Sequence, residues 1–78
     1  MQEFQIQPTS FQQVQDFVCL AAQQSFDIRA GNDWQRINGK DLMGMFSLDY
    51  SRPVRIQAEC DDEAFRVFQA EAFKLLTE

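Results

Sequence analysis

The sequence predicts an α+β protein, an open-faced β-sandwich in which a four-stranded antiparallel sheet carries three helices on one face. Three observations lead to this fold class. Short segments alternate apolar with polar residues, which is the period of a strand with one wet face. Longer segments repeat apolar residues every three or four positions, as amphipathic helices do. The segments follow the order β-α-β-β-α-β-α, and the 78 residues allow a single domain spanning 1–78.

Four segments have the pattern of strands. Phe4–Gln7 alternates until Pro8, which cannot donate a hydrogen bond to a strand ladder. Phe26–Ala30 alternates again and is separated from Trp34–Ile37 by a Gly-Asn-Asp turn, so the two segments predict a hairpin. The segment 54–59 places Val, Ile and Ala on one side and Arg, Gln and Glu on the other, which predicts a fourth strand with one exposed face.

Three segments have the pattern of helices. The first follows Ser10, a suitable N-cap, and its apolar stripe continues to about Gln24. The second, 41–48, begins with Asp41 as N-cap and is apolar on most faces, so it is expected to be buried or to present part of itself to a partner. The third begins at the acidic segment 61–63, where the helix dipole favours negative charge, and continues to about the C-terminus.

Composition and charge argue against several function classes. The net charge of −5 disfavours non-specific nucleic-acid binding, which needs clustered Lys and Arg. The chain begins without the pattern of a signal peptide and has no apolar run of the roughly 18 residues that a membrane helix needs, so we expect a cytoplasmic protein without membrane contact. It contains no histidine, phosphate-binding glycine loop or CxxC, and we expect no enzyme activity, metal or cofactor.

The two cysteines, Cys19 and Cys60, are interpreted as reduced, half-buried core residues. A disulfide between them is an alternative that the sequence leaves open.

One segment is specific enough to suggest a family. The stretch 38–48 resembles the regulatory helix of HPr, the phosphocarrier of the bacterial sugar phosphotransferase system, where the family pattern is Lys-Ser-Ile-Met-Gly-Val-Met-Ser-Leu. The chain keeps five residues of this pattern, namely Lys40, Met43, Gly44, Ser47 and Leu48. The order of elements and the chain length are also those of HPr. The resemblance implies an HPr-like fold over nearly the whole chain.

The resemblance places Ser10 where HPr carries its phosphorylated histidine. The family has a Gly-Ile-His-Ala-Arg-Pro pattern before its first helix, and a count from Asp41 without gaps puts the histidine position at Ser10. The arginine and proline of the pattern fall on Gln12 and Gln13. A serine phosphate is too stable for a reversible relay, so we expect no phosphocarrier activity. Ser10 is then either a plain N-cap or a site of hydroxyl phosphorylation.

The regulatory serine of HPr, which a kinase phosphorylates in many bacteria, corresponds to Asp41. Two interpretations remain open for this position. Asp41 is either only an N-cap or a permanent negative charge that partly mimics the phosphoserine.

In HPr, the regulatory helix and the start of the first helix form an apolar patch that binds several proteins. The corresponding residues here are Phe11, Gln12, Val14, Lys40, Leu42, Met43 and Phe46. The alternative is that the apolar members are mostly core.

The resemblance therefore implies a degenerate HPr-like module with a regulatory role, which it performs by binding other proteins. The expected partners are phosphotransferase-system or transcriptional-regulator proteins. A component phosphorylated on Ser10 and an HPr-shaped domain with an unrelated binding role are the alternatives, and the oligomeric state stays open.

Overall fold

The computed structural model describes residues 2–32 and 35–76. Its elements follow the predicted order: β1 (Gln2–Ile6), α1 (Phe11–Ala22), β2 (Ile28–Gly31), β3 (Arg36–Asn38), α2 (Leu42–Phe46), β4 (Val54–Ala58) and α3 (Asp62–Leu76). The predicted fold class is confirmed: the four strands form one antiparallel sheet, and the helices cover one of its faces. No helix within the described ranges is long and apolar enough to cross a bilayer.

The strand order in the sheet is β1-β4-β2-β3, so β4 lies between β1 and β2. Ile56, at the centre of β4, pairs with Phe4 on one side and with Ala30 on the other. This central position explains why Val54, Ile56 and Ala58 are completely buried on their inner face. The two remaining strands, β1 and β3, form the edges.

The core lies between the inner face of the sheet and the apolar stripes of the helices. Alternation in the strands turns one set of apolar side chains inward and leaves the opposite face of the sheet to polar and charged residues. The inward set from the strands is Phe4, Ile6, Ile28, Ala30, Val54, Ile56 and Ala58. The helices bury Val14, Phe17, Val18, Leu20, Ala21, Met45, Phe65, Phe68 and Ala72 against them.

Phenylalanine rings connect the layers of this core. The Phe68 ring lies 5.6 Å from Phe4, 5.9 Å from Phe17 and 5.7 Å from Phe26, measured between ring centroids. Two of these contacts are edge-to-face, the arrangement that the aromatic quadrupole favours. Phe68 thus joins α3 to β1, to α1 and to the segment before β2.

Several element boundaries differ from the sequence prediction, and the first strand is Gln2–Ile6 rather than Phe4–Gln7. The second strand begins at Ile28 rather than at Phe26, because Phe26 is drawn into the aromatic contact with Phe68. The third strand is Arg36–Asn38, and the predicted strand residue Trp34 lies outside the described residues. The second helix spans Leu42–Phe46, shorter than the predicted 41–48.

The cysteines are unpaired in the structure, but their environments differ. Cys60 is partly buried and packs against the core, as predicted. Cys19 is exposed, so its interpretation as a half-buried core residue is wrong. The reason is helical spacing: Cys19 lies three residues after Asp16 and four before Gln23, and it shares the polar side of α1 with them.

Candidate functional site

The first part of the site is the start of α1, where Ser10 is the N-cap. Its backbone is extended, with φ −151° and ψ 160°, and its Oγ accepts a hydrogen bond from the Gln13 backbone N–H at 3.2 Å. The Gln13 side chain reaches back, and its Oε1 accepts hydrogen bonds from the Thr9 N–H at 2.8 Å and from the Thr9 hydroxyl at 3.2 Å. These contacts resemble a capping box, shifted by one residue at its return bond. The Ser10 hydroxyl therefore has a structural task.

An open depression lies beside Ser10. Its wall comes from the end of β1, the first turn of α1 and one residue that follows α2; the members are Gln7, Pro8, Thr9, Ser10, Phe11, Val14 and Tyr50. Tyr50 donates a hydrogen bond from its hydroxyl to the Met45 carbonyl oxygen, and burial raises the pKa of Tyr50 to about 12. Tyr50 is therefore a neutral donor at physiological pH, and it ties the wall of the depression to α2.

The second part of the site is the start of α2, where Asp41 occupies the predicted N-cap position. Its φ of −97° and ψ of 107° are those of an extended residue before a helix, but its side chain forms no capping hydrogen bond. The carboxylate oxygen Oδ2 instead lies 3.1 Å from the point where a Cβ on Gly44 would be. Asp41 is exposed, so its charge faces solvent beside the first turn of α2.

Lys40 links the start of α2 to the end of α1. Its Nζ donates a hydrogen bond of 2.8 Å to the backbone carbonyl of Gln24, two residues beyond the end of α1. A cation at this place also interacts favourably with the negative end of the α1 dipole. The structure therefore gives Lys40 a role in holding α1 and α2 together.

Three large apolar side chains are exposed on these two helices. The exposed fractions are 76% for Phe11, 79% for Met43 and 38% for Phe46. The rings of Phe11 and Phe46 meet edge to face, with centroids 5.5 Å apart and an interplanar angle of 80°. Met43 precedes Phe46 by three residues, so the two share a side of α2. We refer to Phe11, Met43 and Phe46 as the Phe11–Phe46 surface.

The other residues assigned to the patch from the sequence lie in the core or form hydrogen bonds within the chain. Val14 is only 2% exposed and packs in the core on the stripe of α1 that faces the sheet, which is the alternative left open for the apolar members of the patch. Leu42 is partly buried and packs against the core. Gln12 is exposed, and its Nε2 donates a hydrogen bond of 2.9 Å to Asp16 Oδ1.

Tyr50 was not among the site residues predicted from the sequence. The sequence gives little reason to assign Tyr50 to the site, because a tyrosine in a Tyr-Ser-Arg-Pro loop does not indicate which group its hydroxyl donates to. In residues 2–32 and 35–76, no group of three or more Cys, Asp or Glu could hold a metal ion. Apolar side chains beside a hydroxyl and a carboxylate instead suit the binding of a protein surface.

Three solved structures show what the fold resembles. HPr-C-His from Thermoanaerobacter tengcongensis aligns with 100% of this chain and 98% of its own, with a TM-score of 0.76 and 29% identity. The phosphocarrier protein HPr from Bacillus anthracis aligns with 88% of this chain and 93% of its own, with a TM-score of 0.66 and 23% identity. The catabolite repression protein Crh from Bacillus subtilis, a dimer with a swapped domain, covers 94% of this chain and 88% of its own at a TM-score of 0.65 and 22% identity.

No protein-family model and no curated protein matches the chain. The structural matches span nearly the whole chain and confirm the resemblance to HPr at the level of the fold. The chain therefore has the fold of the HPr-like proteins, and HPr and Crh are its structural neighbours.

Proposed function

We propose that this chain is an HPr-like regulatory module that acts by binding other proteins and does not carry phosphoryl groups. It would work in the cytoplasm of a bacterium, without enzyme activity, in a process related to sugar transport and carbon catabolite control. The observation that carries the proposal is the Phe11–Phe46 surface, which exposes three large apolar side chains across α1 and α2. HPr and Crh, the structural neighbours, support a role of this kind.

The Phe11–Phe46 surface has the chemistry of a protein interface. Burying a Phe or Met side chain in a partner contributes about 1.5–3 kcal/mol per residue. Aromatic residues and Met are enriched at interface centres, and polar residues surround them. Ser10 precedes Phe11 and Asp41 precedes α2, so a hydroxyl and a carboxylate stand beside the apolar centre.

The absence of histidine from the sequence supports binding over phosphoryl relay. Ser10 takes the position of the phosphorylated histidine by the gapless count, and its hydroxyl oxygen accepts the capping hydrogen bond of α1. A phosphate on this serine would be favoured by the helix N-terminus but would be too stable to pass on. Phosphorylation of Ser10 is therefore the second candidate, as a switch rather than a relay.

The geometry of Asp41 supports its role as a fixed negative charge. Its carboxylate is exposed and makes no capping hydrogen bond, so it is available to a partner. A carboxylate has less charge and fewer acceptor oxygens than a phosphate, so a partner that binds phosphoserine HPr would bind this chain more weakly.

The binding proposal is tested with two purified proteins from the same organism: Enzyme I of the phosphotransferase system and the transcriptional regulator that binds phosphoserine HPr. Calorimetry should detect binding of at least one. Met43→Glu and Phe46→Glu should each weaken it by about tenfold or more, because a charge is buried in an apolar interface. Val67→Glu is the matched control, since Val67 is 56% exposed on α3. Binding of neither protein, or equal weakening by Val67→Glu, would contradict the proposal.

The second candidate, phosphorylation of Ser10, is tested by measuring the intact mass of the chain. The chain is incubated with Enzyme I and phosphoenolpyruvate, and separately with HPr kinase and ATP, and its intact mass is measured. We expect no phosphoryl gain in either reaction. A gain of mass by one phosphoryl group that Ser10→Ala abolishes would contradict the proposal of a module without phosphorylation. It would show instead that Ser10, at the start of α1, is a phosphorylated switch.

A further inference from the structure

Two large apolar side chains are exposed on α3, outside the Phe11–Phe46 surface. Val67 is 56% exposed and Phe73 is 42% exposed. The Phe73 ring is held by an edge-to-face contact with Phe4, with centroids 5.5 Å apart. Ala70 is exposed between Val67 and Phe73, and the spacing of three residues places all three on one ridge of the helix. We refer to Val67, Ala70 and Phe73 as the α3 ridge.

The charged side chains beside the α3 ridge differ in sign between the two ends of the helix. Glu63 lies in the first turn of α3 and Lys74 in its last turn. Both are on the side of Val67, because Glu63 precedes it by four residues and Lys74 follows it by seven. Arg66 precedes Phe73 by seven residues and is on the side of Phe73. All three charged side chains are exposed, so they flank the ridge on its solvent side.

We propose that the α3 ridge is an interface between two copies of this chain, whose α3 helices pack antiparallel about a two-fold axis at Ala70. A second copy is the partner because an antiparallel α3 sets the acidic first turn of each helix beside the basic last turn of the other. The axis at Ala70 puts the smallest side chain of the ridge where the helices approach most closely. The interface includes no residue of the Phe11–Phe46 surface, so it goes beyond the proposed function.

The two-fold axis brings Glu63 of one copy beside Lys74 of the other. Glu63 lies seven residues before Ala70 and Lys74 four residues after it, so across the axis they are three residues, about 4.5 Å, apart along the helices. The Lys74 ammonium then reaches the Glu63 carboxylate while its hydrocarbon stem covers Val67. Lys74 also interacts within its own chain, and an ammonium with three N–H donors can make both contacts.

The same axis brings Arg66 of one copy beside Phe73 of the other. Arg66 lies four residues before Ala70 and Phe73 three residues after it, so across the axis they are one residue, about 1.5 Å, apart along the helices. A guanidinium group is attracted to the face of an aromatic ring. Symmetry repeats each contact, and both exposed apolar side chains of the ridge are covered by a cation of the other copy.

The size of the interface sets the expected strength. The 15 residues of α3 extend over about 22 Å. One pair of such helices buries less than the roughly 800 Å² per partner of a standard stable interface. We therefore expect a weak dimer, with a dissociation constant on the order of 0.1–1 mM.

Sedimentation equilibrium of the purified chain, from about 0.02 to about 2 mM, measures this association. A reductant is included so that the exposed Cys19 forms no disulfide. The mean mass should rise with concentration from 9.1 kDa toward twice that value. A mass that stays at 9.1 kDa over the whole range would overturn the proposal.

Ala70→Glu places two like charges at the axis and should weaken the association by at least about tenfold. Alanine and glutamate both favour helices, so α3 is kept. Gln15→Glu adds the same charge on the exposed side of α1 and should leave the association unchanged. Equal weakening by the two variants would mean that net charge rather than the α3 ridge controls the association.

Charge reversal tests the antiparallel direction. Glu63→Lys and Lys74→Glu should each weaken the association by about three- to tenfold, because like charges then face each other across the axis. The double variant restores opposite charges and should recover most of the loss. A double variant as weak as the sum of the two single losses would contradict the pairing of Glu63 with Lys74.

Self-association and partner binding can fail separately. Val67→Glu should weaken self-association by about tenfold, because it sets a carboxylate within the ridge. The same variant should keep the binding of partner proteins through the Phe11–Phe46 surface. Self-association that survives Val67→Glu and is lost in Phe46→Glu would overturn the α3 interface and assign the dimer to the Phe11–Phe46 surface.

Disulfide cross-linking locates the axis, in a Cys19→Ser background with oxidised glutathione as the oxidant. Ala70→Cys should form a linked dimer, because the two copies of this position meet at the axis. Glu63→Cys is the matched control, since the two copies of position 63 lie 14 residues, about 21 Å, apart along the helices. A disulfide needs Cα atoms within about 7 Å. Faster cross-linking of Glu63→Cys than of Ala70→Cys would overturn the antiparallel arrangement.

Discussion

At the scale of single residues, two N-caps use their side chains differently. Ser10 accepts a hydrogen bond from the third residue of α1, and this satisfies one of the backbone donors that the helix start leaves unpaired. Asp41 stands at the same kind of position, but its carboxylate lies above Gly44 and makes no capping bond. Its contribution to stability is then limited to attraction by the dipole of a five-residue helix.

We therefore expect Ser10→Ala to lower the free energy of unfolding by about 1 kcal/mol. Asp41→Ala should lower it by less than about 0.5 kcal/mol, since only an exposed charge near a short helix is lost. Urea unfolding followed by circular dichroism measures both values. A loss for Asp41→Ala equal to that of Ser10→Ala would mean that the carboxylate caps α2 in solution, and the fixed-charge role of Asp41 would lose its support.

The sequence predicts local features of the site and misses those that depend on distant residues. The cap at Ser10 follows from the order of residues around it. The bond from Lys40 to the Gln24 carbonyl joins residues 16 positions apart, and no local pattern indicates it.

At the scale of elements, α2 is held by its surroundings. A helix of five residues is not stable alone, because nucleation is costly. Met45 is completely buried, and Leu48 is only 6% exposed. The sequence pattern shows apolar residues on most faces of this segment, and so it left burial and partner binding as alternatives. In the structure both alternatives apply to different residues of the segment. Met45 and Leu48 pack into the core, and Met43 and Phe46 face outward.

The hydrogen bond from Tyr50 to the Met45 carbonyl fastens the last turn of α2. Burial raises the pKa of Tyr50 from the usual 10 to about 12, so the phenol stays protonated in the folded state where the unfolded chain has already lost its proton. The unfolded state then binds fewer protons between these values, and stability must fall as pH rises from about 10 to about 12. Below pH 10 the contribution is fully present.

We expect that the Tyr50→Phe variant keeps the ring in place but no longer loses stability as the pH rises from about 10 to about 12. Tyr50 is the single tyrosine of the chain, so tyrosinate absorbance titrates it directly. The native protein should titrate near pH 12, and the urea-unfolded protein near pH 10. Equal midpoints in the two states would contradict the burial of the Tyr50 hydroxyl.

At the scale of the whole molecule, the element order and the alternation of 54–58 were predictable because they are local patterns. The strand order β1-β4-β2-β3 was not, since it requires pairing between segments about 50 residues apart in sequence. The late start of β2 also depends on how Phe26 packs against Phe68. The exposure of Cys19, in contrast, follows from its spacing from Asp16 and Gln23 on the polar side of α1 and was predictable. The contact between Phe26 and Phe68 is part of one aromatic cluster.

Phe68 is the centre of that cluster, and its truncation should affect the whole molecule. It is 1% exposed and contacts rings from β1, from α1 and from the segment before β2. Domains of this size have total stabilities of roughly 4–12 kcal/mol, so Phe68→Ala, at about 3–5 kcal/mol, would leave much of the protein unfolded. The graded change Phe68→Leu is therefore the informative one.

We expect Phe68→Leu to lower the free energy of unfolding by about 1–2 kcal/mol and Tm by roughly 4–16 °C. Phe73→Leu is the matched control, because Phe73 is on the same helix, contacts the Phe4 ring and is 42% exposed. Its loss should be less than half as large. Calorimetry of both variants decides the matter: equal losses would mean that the burial of Phe68 and its three ring contacts add nothing beyond the single contact of Phe73 with Phe4, and that Phe68 does not join the layers as its contacts indicate.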